Sequence, residues 1–314
     1  MLSVDEESGA GQRLDNFLAR QCKGVPRSHL YQLIRSGQVR VDGRRCRADD
    51  RLEAGATVRV PPIVLDAERG ARGRAAPPGS FPVIFEDGEL LVIDKPAGVA
   101  VHGGSGVAHG AVEQLRAAHP ESRFLELCHR IDRDTSGVLV LARKRAALLS
   151  VHRQLRDRQV EKSYLAIVHG RWPLRTKSFE QPLMRYLTPE GERRVRVQAD
   201  GQEAITRVTG LRHFALAGLG TFTLVEASIE TGRTHQIRVH LAHAGFPIAG
   251  DQKYGDFALN RSLRKGGHAR MFLHAHSLRI RHPSSNRVLE LAAPRPADFD
   301  ALIDEGAAPE AREP

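Results

Sequence analysis

The densest run of reactive side chains is Cys128-His129-Arg130-Ile131-Asp132-Arg133-Asp134, which sets two carboxylates, two guanidiniums and an imidazole within six residues. The chain then continues Thr135-Ser136-Gly137-Val138-Leu139-Val140-Leu141-Ala142, an apolar run with β-branched content that reads as a buried strand. Loops at the mouths of such strands carry chemistry. A carboxylate held there sits in low dielectric, which disfavours its charge, while a neighbouring guanidinium restores it. Asp132, between Arg130 and Arg133, therefore reads as a carboxylate kept ionised in a partly dry site. From this stretch alone, an ion-pair loop capping a strand accounts for the residues equally well, because structural ion pairs perturb carboxylates too.

Two further stretches add chemistry. Glu161-Lys162-Ser163-Tyr164-Leu165-Ala166-Ile167-Val168-His169 alternates as a strand, with Lys162, Tyr164, Ala166 and Val168 on one face. Glu230-Thr231-Gly232-Arg233-Thr234-His235-Gln236-Ile237-Arg238-Val239-His240-Leu241-Ala242-His243 is dense in polar groups. Read as a strand, it puts Gln236, Arg238 and His240 on one face, and Arg238 could hold a carboxylate from another strand in a two-point pair. His235, His240 and His243 lack the spacing of a zinc helix and have no cysteine nearby, so no metal is expected and the histidines read as packing or backbone-bonded residues. Val101-His102-Gly103-Gly104-Ser105-Gly106 lacks the Lys-Ser or Lys-Thr of a phosphate loop and the long strand and helix of a dinucleotide site, and reads as a mobile loop. Asp134-Thr135-Ser136-Gly137 also has the look of an aspartic protease tetrapeptide. That chemistry needs two carboxylates sharing a proton, and the tetrapeptide occurs once.

The elements that must position these groups come from a 314-residue chain of formal charge +10, a balance that points to a polyanionic partner, most often nucleic acid. Its three cysteines have no metal or disulfide spacing, the N-terminus has no secretory pattern, and no apolar run reaches a membrane span, so a cytoplasmic protein is expected. Residues 1–10 read as a disordered leader. Leu14, Phe17 and Leu18 form one helical face, Leu30, Leu33 and Ile34 another, and Asp42-Gly43 signals a hairpin. Between Arg13 and Arg47 this module carries nine Lys or Arg against Asp15 and Asp42. Arg27, Arg35, Arg40, Arg44, Arg45 and Arg47 gather around the second helix and the hairpin, where they could lie on a phosphate backbone. Residues 63–80 read as a flexible linker. Beyond them, strands are expected near 83–85, 90–93, 161–169, 193–197, 204–209, 222–229, 237–241 and 278–281, and helices over 112–119 and 146–159. Many strands with few long helices argue an α+β fold with a mostly antiparallel mixed sheet. The acidic tail from Asp298 onward is expected to fray. The expected division is 1–62, linker 63–80, 81–302, and a disordered 303–314.

Two resemblances sharpen this reading. Gln12-Arg13-Leu14-Asp15-Asn16-Phe17-Leu18, Pro26-Arg27-Ser28-His29-Leu30 and Gly37-Gln38-Val39-Arg40-Val41-Asp42-Gly43 resemble the small RNA-binding domain named after ribosomal small-subunit protein S-four. His129-Arg130-Ile131-Asp132 with Asp134-Thr135-Ser136-Gly137, Lys162-Ser163-Tyr164, and Gly232-Arg233-Thr234-His235-Gln236-Ile237-Arg238-Val239-His240 are similar to the ordered motifs of the RluA-type pseudouridine synthases. Asp94-Lys95-Pro96-Ala97-Gly98, Gly250-Asp251 with Tyr254-Gly255, and Leu273-His274-Ala275 resemble further segments of that family, with Ile131 where leucine is usual. The resemblance implies an enzyme that isomerises uridine in 23S ribosomal RNA without cofactor or metal; a monomer is expected. It implies Asp132 as nucleophile or base, Arg238 as its partner, Tyr164 against the target base, and Arg130 filling the gap left by a flipped nucleotide or touching phosphate. The rival from another class is a non-catalytic RNA-binding or ribosome-assembly protein on the same scaffold.

Overall fold

The computed structural model describes residues 1–5, 10–22, 25, 27–62, 76–103, 107–189 and 191–306; the side chains of Arg27 and Ser28 are outside the described set. The chain divides into two compact units, Met1–Arg74 and Ala75–Pro314.

In the first unit, helices α1 (Leu14–Gln21) and α2 (Arg27–Arg35) bury Leu14, Phe17, Leu18, Leu30, Leu33 and Ile34 against a four-stranded sheet. Its strands are β1 (Leu2–Ser3), β2 (Arg40–Val41), β3 (Arg44–Arg45) and β4 (Thr57–Arg59), in the order β1-β4-β2-β3. Asp42 and Gly43 both take positive φ, 47° and 76°, the pair that a tight two-residue hairpin needs. The leader expected over 1–10 begins as structure instead. Leu2 pairs with Val58 and Val4 is buried, because two apolar residues at period two complete the edge of a small sheet. Residues 6–9 lie outside the described set.

The second unit is built on a ten-stranded sheet. In chain order its strands are β5 (Val83–Glu86), β6 (Leu90–Lys95), β7 (Glu126–Leu127), β8 (Ser136–Ala142), β9 (Glu161–His169), β10 (Thr176–Phe179), β13 (Thr206–Leu216), β14 (Gly220–Ile229), β15 (Leu273–Arg281) and β16 (Val288–Ala292), while β11 (Leu183–Leu187) and β12 (Arg193–Val197) form a separate hairpin. The main path runs β10-β13-β14-β9-β15-β8-β6-β5, and among the described residues only β15 and β8 pair in parallel. At that contact Gly137 has φ 109°, and a Cβ on it would run into the Ala275 carbonyl, so the strand carrying the Asp132 loop reaches β15 only through a glycine.

Both sheet faces are covered, which is why β8 is buried at every residue rather than alternating. On one face, α3 (Ala111–Ala118) and α5 (Gln236–His243) pack on Leu91, Leu139, Ala166 and Val225. On the other, α4 (Arg145–Arg156) packs on Val92, Val138 and Val140, while α6 (Phe257–Lys265) and α7 (Ala297–Glu305) cover Ile167, Phe222 and Leu224. The fold is α+β with a mixed, largely antiparallel sheet.

Further expectations are corrected. The strand at 237–241 is helix α5. Its alternating pattern arises because polar Gln236, Arg238 and His240 are as buried as their apolar neighbours, and the apolar ones serve two cores: Ile237 and Leu241 join the main cluster, Val239 a separate one. The frayed tail from Asp298 is α7 as far as Glu305, anchored by buried Phe299, Leu302 and Ile303 at helical spacing. The linker ends earlier than residue 80, since the Gly79 N–H already bonds the Gln114 carbonyl of α3. The linker's residues 63–75, the loop residues 104–106 and the terminal 307–314 lie outside the described set. No helix among the described residues is long and apolar enough to cross a membrane.

Candidate active site

The loop before β8 is fixed from beneath by a lysine. Lys95, at the end of β6, is fully buried, and its ammonium donates to the carbonyls of Pro96 (2.8 Å), Val99 (2.7 Å) and Arg133 (3.0 Å). Burial draws its pKa down to about 7, against the opposing pull of Asp134 and Asp132. An ammonium has three protons, and all three are used to hold backbone. The Thr135 N–H bonds the Asp132 carbonyl at 3.2 Å, closing the turn that aims Asp132.

Arg238, on α5, holds the Asp132 carboxylate. Its Nη1 donates to Asp132 Oδ2 at 2.9 Å, while Nε and Nη2 clamp both oxygens of Asp251 at 2.7 and 2.8 Å. Arg238 is 4% exposed and Asp251 1%, whereas Asp132 keeps 21%. Burial works against charge on Arg238, yet the bonds and charge of Asp251, with the charge of Asp132, raise its pKa above the ordinary value. Burial likewise opposes the Asp251 charge and is outweighed by Arg238 and by the N–H groups of Lys253 and Tyr254, so this carboxyl lies below its usual range. Both charge contacts to Asp132 fall on Oδ2; among the described residues Oδ1 accepts no hydrogen bond.

That carboxylate opens on a cavity of about 530 Å³ lined also by Arg130, Lys162, Tyr164 and His235. Tyr164 is 9% exposed, and burial, then the charge of Asp132, pushes its hydroxyl well above the ordinary range. It is therefore a neutral ring with a held proton. Arg130 and Lys162 have no ion pair among the described residues, leaving two cations at the cavity wall. His129 accepts the Val140 N–H on Nε2 at 3.1 Å, and burial and nearby Lys162 lower its pKa to about 4. His240 bonds Thr206 Oγ1 and donates to the Gln181 carbonyl, each at 2.9 Å, and Gln236 is bonded to the Ile205 carbonyl and Thr206. Among the described residues no group of three or more His, Cys, Asp or Glu is placed to hold a metal ion.

The structure thus brings Asp132, Tyr164, Arg238 and Arg130 to one cavity. Of the N-terminal arginines, Arg35, Arg45 and Arg47 line a groove of about 490 Å³ with Tyr31 and Ile34, and Arg44 is exposed on β3. Arg40 is half-buried and bonds the Gly37 carbonyl at 2.9 Å; the Arg27 side chain is outside the described set. Sequence reasoning assigned no role to Lys95, Asp251, His235 or Tyr254, although Asp94-Lys95-Pro96 and Gly250-Asp251 stood out as segments.

The chain matches the RNA pseudouridylate synthase family model over residues 89–243 and the S4 domain model over 12–58. It is similar to ribosomal large subunit pseudouridine synthase C of Escherichia coli (strain K12), 47% identical over 299 residues that cover 93% of this chain and 91% of that protein. The protein of the same description from Pasteurella multocida (strain Pm70) is 45% identical, covering 96% and 92%. Among solved structures, human RNA pseudouridylate synthase domain containing 1 superposes with a TM-score of 0.58 at 27% identity, over 74% of this chain and 98% of that one. Human RNA pseudouridylate synthase domain containing 4 gives 0.56 at 28%, over 72% and 93%.

Proposed function

Because the chain belongs to the RNA pseudouridylate synthase family, we propose that it isomerises selected uridines of large-subunit (23S) ribosomal RNA to pseudouridine, with Asp132 as the reacting carboxylate. In that reaction the bond from ribose C1′ to uracil N1 breaks, the uracil turns, and a bond from C1′ to C5 forms. The C5 proton leaves, and N1 takes one up. Nothing is added and no electrons change hands.

One observation carries the assignment. Arg238 pins Asp132 through Oδ2, and among the described residues Oδ1 has no partner at the cavity. A carboxylate tethered by one oxygen can present the other to a ribose as nucleophile or base. A uridine in structured RNA must be everted to reach it, and the Tyr164 ring offers the extruded base a face. The Tyr164 hydroxyl takes part in the proton transfer from C5, and Arg130 fills the vacated stack or meets a phosphate; both line the cavity. The exposed arginines of the first unit supply affinity for the RNA backbone without reading sequence. The same proposal covers the division of labour, an N-terminal RNA-binding unit joined to a C-terminal synthase unit, and a monomer acting in the cytoplasm.

Tritium release from ribosomal RNA labelled at uracil C5 tests the reading directly, because only formation of the carbon–carbon bond frees that label. Release by the native chain and none by Asp132→Asn is expected. Undiminished release by Asp132→Asn overturns the assignment.

A further inference from the structure

His235 sits in a backbone conformation that L side chains rarely adopt, φ 55° and ψ 21°, at the position just before α5, where helices ordinarily begin from extended backbone. Such strain persists only where the surroundings impose it, and it concentrates at functional sites. Here it carries the imidazole into the space between Tyr254 and Asp132. Nδ1 lies 2.7 Å from the Tyr254 hydroxyl, and Nε2 lies 3.9 Å from Asp132 Oδ2. The Tyr254 ring meets the imidazole edge-on at 5.4 Å, and the Arg238 guanidinium stands 5.2 Å from the centre of the same ring.

The protons on this chain can be assigned. The Tyr254 hydroxyl accepts the Val195 N–H at 3.0 Å, so one lone pair is occupied. Its own proton has one acceptor among the described residues, His235 Nδ1. If the hydroxyl donates there, the single proton of a neutral imidazole resides on Nε2, facing Asp132. The opposite arrangement leaves the hydroxyl proton without an acceptor and turns a ring lone pair toward a carboxylate. Burial keeps the imidazole neutral, lowering its pKa to about 4 despite Asp132, with Arg238, Lys253 and Asp251 also facing it. At 3.9 Å the last contact orients the carboxylate without being a hydrogen bond, and contacts of this kind tighten when substrate is bound.

We propose that Tyr254 and His235 are positioning residues that link the β11–β12 hairpin to Asp132: the Val195 N–H orients the Tyr254 hydroxyl, the hydroxyl holds His235 with its proton on Nε2, and that N–H faces Oδ2 so that Oδ1 is the oxygen offered to the ribose. The proposal rests on Asp132 being the reacting carboxylate. It also gives the hairpin a part in the reaction. The hairpin exposes Arg185, Arg193 and Arg196, and RNA seated on these cations would set Val195, and through it the carboxylate. Supporting contacts run alongside, since Arg194 on β12 donates to the Lys253 carbonyl at 3.2 Å and the Tyr254 N–H bonds Asp251 Oδ1 at 3.1 Å.

The test compares single-turnover and steady-state kinetics of His235→Ala, His235→Gln, Tyr254→Phe and Asp132→Asn on one ribosomal RNA fragment. Loss of an orienting partner behind a reacting group costs about 10–100-fold. His235→Ala should therefore lower kcat about 30-fold, with RNA affinity within about threefold. His235→Gln restores a donor near the Nε2 position and should recover most of that loss. Tyr254→Phe, which deletes one oxygen, should lower kcat about tenfold. It should also move the ¹⁵N shifts of His235 away from those of an Nε2-protonated ring, a signature that loss of packing alone does not give. Should His235→Ala fail to fold, Tyr254→Phe carries the test. If Asp132→Asn is inactive while His235→Ala and Tyr254→Phe keep kcat within twofold, the relay is overturned and the reading of Asp132 stands. If Asp132→Asn itself turns over, the reading falls and the relay with it.

Discussion

The exposed arginines of the first unit and the buried cations of the second are held in opposite ways. In the first, Arg35, Arg44, Arg45 and Arg47 are exposed. In the second, Lys95 and Arg238 are buried and each meets three oxygens. An exposed guanidinium keeps its water, costs nothing to maintain, and can meet any phosphate at a strength that salt erodes. A buried one is tolerated only with every donor satisfied, and satisfaction fixes its position. Exposed charge thus serves affinity, in the first unit and on the β11–β12 hairpin of the second, while buried charge serves geometry, so the two functions should separate under mutation.

The sharpest separation comes at Asp132. Asp132→Asn keeps the shape and removes the charge, and turnover should fall by at least about 10³-fold with RNA affinity unchanged within a few-fold. Parallel loss of binding and turnover would show that chemistry and affinity are not divided. Next is Asp251→Asn, which reaches the reacting carboxylate only through Arg238. It leaves half of a buried guanidinium fork unpaired, which should destabilise the second unit by roughly 3 kcal/mol and reduce turnover about 100-fold. Urea unfolding beside tritium release measures both, and an effect on stability alone would make the clamp a fold element only. Tyr164→Phe should slow the single-turnover step about tenfold with binding intact; an unchanged rate removes the hydroxyl from the proton path.

On the other side of the comparison, Arg44→Gln, Arg45→Gln and Arg47→Gln combined should weaken RNA binding about tenfold near 0.1 M salt and flatten the salt slope by about 2–3, leaving the single-turnover rate at saturating enzyme unchanged. A filter-binding titration across salt concentrations reads both. A slope identical to that of the native chain would place the phosphate contacts elsewhere.

This split also bears on what could be read without coordinates. Local rules sufficed where neighbours in sequence determine the outcome. Asp42-Gly43 specifies its own hairpin, and the alternation through Tyr164 specifies its face. Asp132 was legible because its loop and strand adjoin. Asp251, the second partner of Arg238, was not, since nothing local tells one carboxylate from another 13 residues away on a different element. Helix α5 was concealed because its polar residues are buried and bonded, so the pattern that separates a surface helix from a strand is missing. His235 gives no sign in the sequence of its positive φ. The C-terminal helix is a different matter: Phe299, Leu302 and Ile303 carried the signal, and the surrounding acids distracted from it.

The smallest expected effect concerns acid. Burial lowers the pKa of His129, His235 and His274 to about 4, each from 6.5. An unfolded chain takes up these protons near pH 6.5 while the native second unit resists until about pH 4. Stability from these groups is therefore complete above pH 6.5 and is lost as pH falls from there to 4. In the first unit the corresponding group is Asp15, held near 2, from 3.8, by the Arg13 guanidinium and the Tyr31 hydroxyl. A depressed carboxyl gives its stability above the unfolded value and loses it only below about pH 3.8. The windows do not overlap. Lowering the pH from 7 to 5 should reduce the melting temperature of the second unit and leave the first unchanged. Hydrogen exchange at the two pH values resolves the units separately: protection should drop in β8 and β9 and hold in α1. Equal losses in both would mean that the buried histidines do not set the acid limit. Loss confined to α1 would reverse the contrast between a unit whose charges lie at its surface and one whose neutral rings are sealed within.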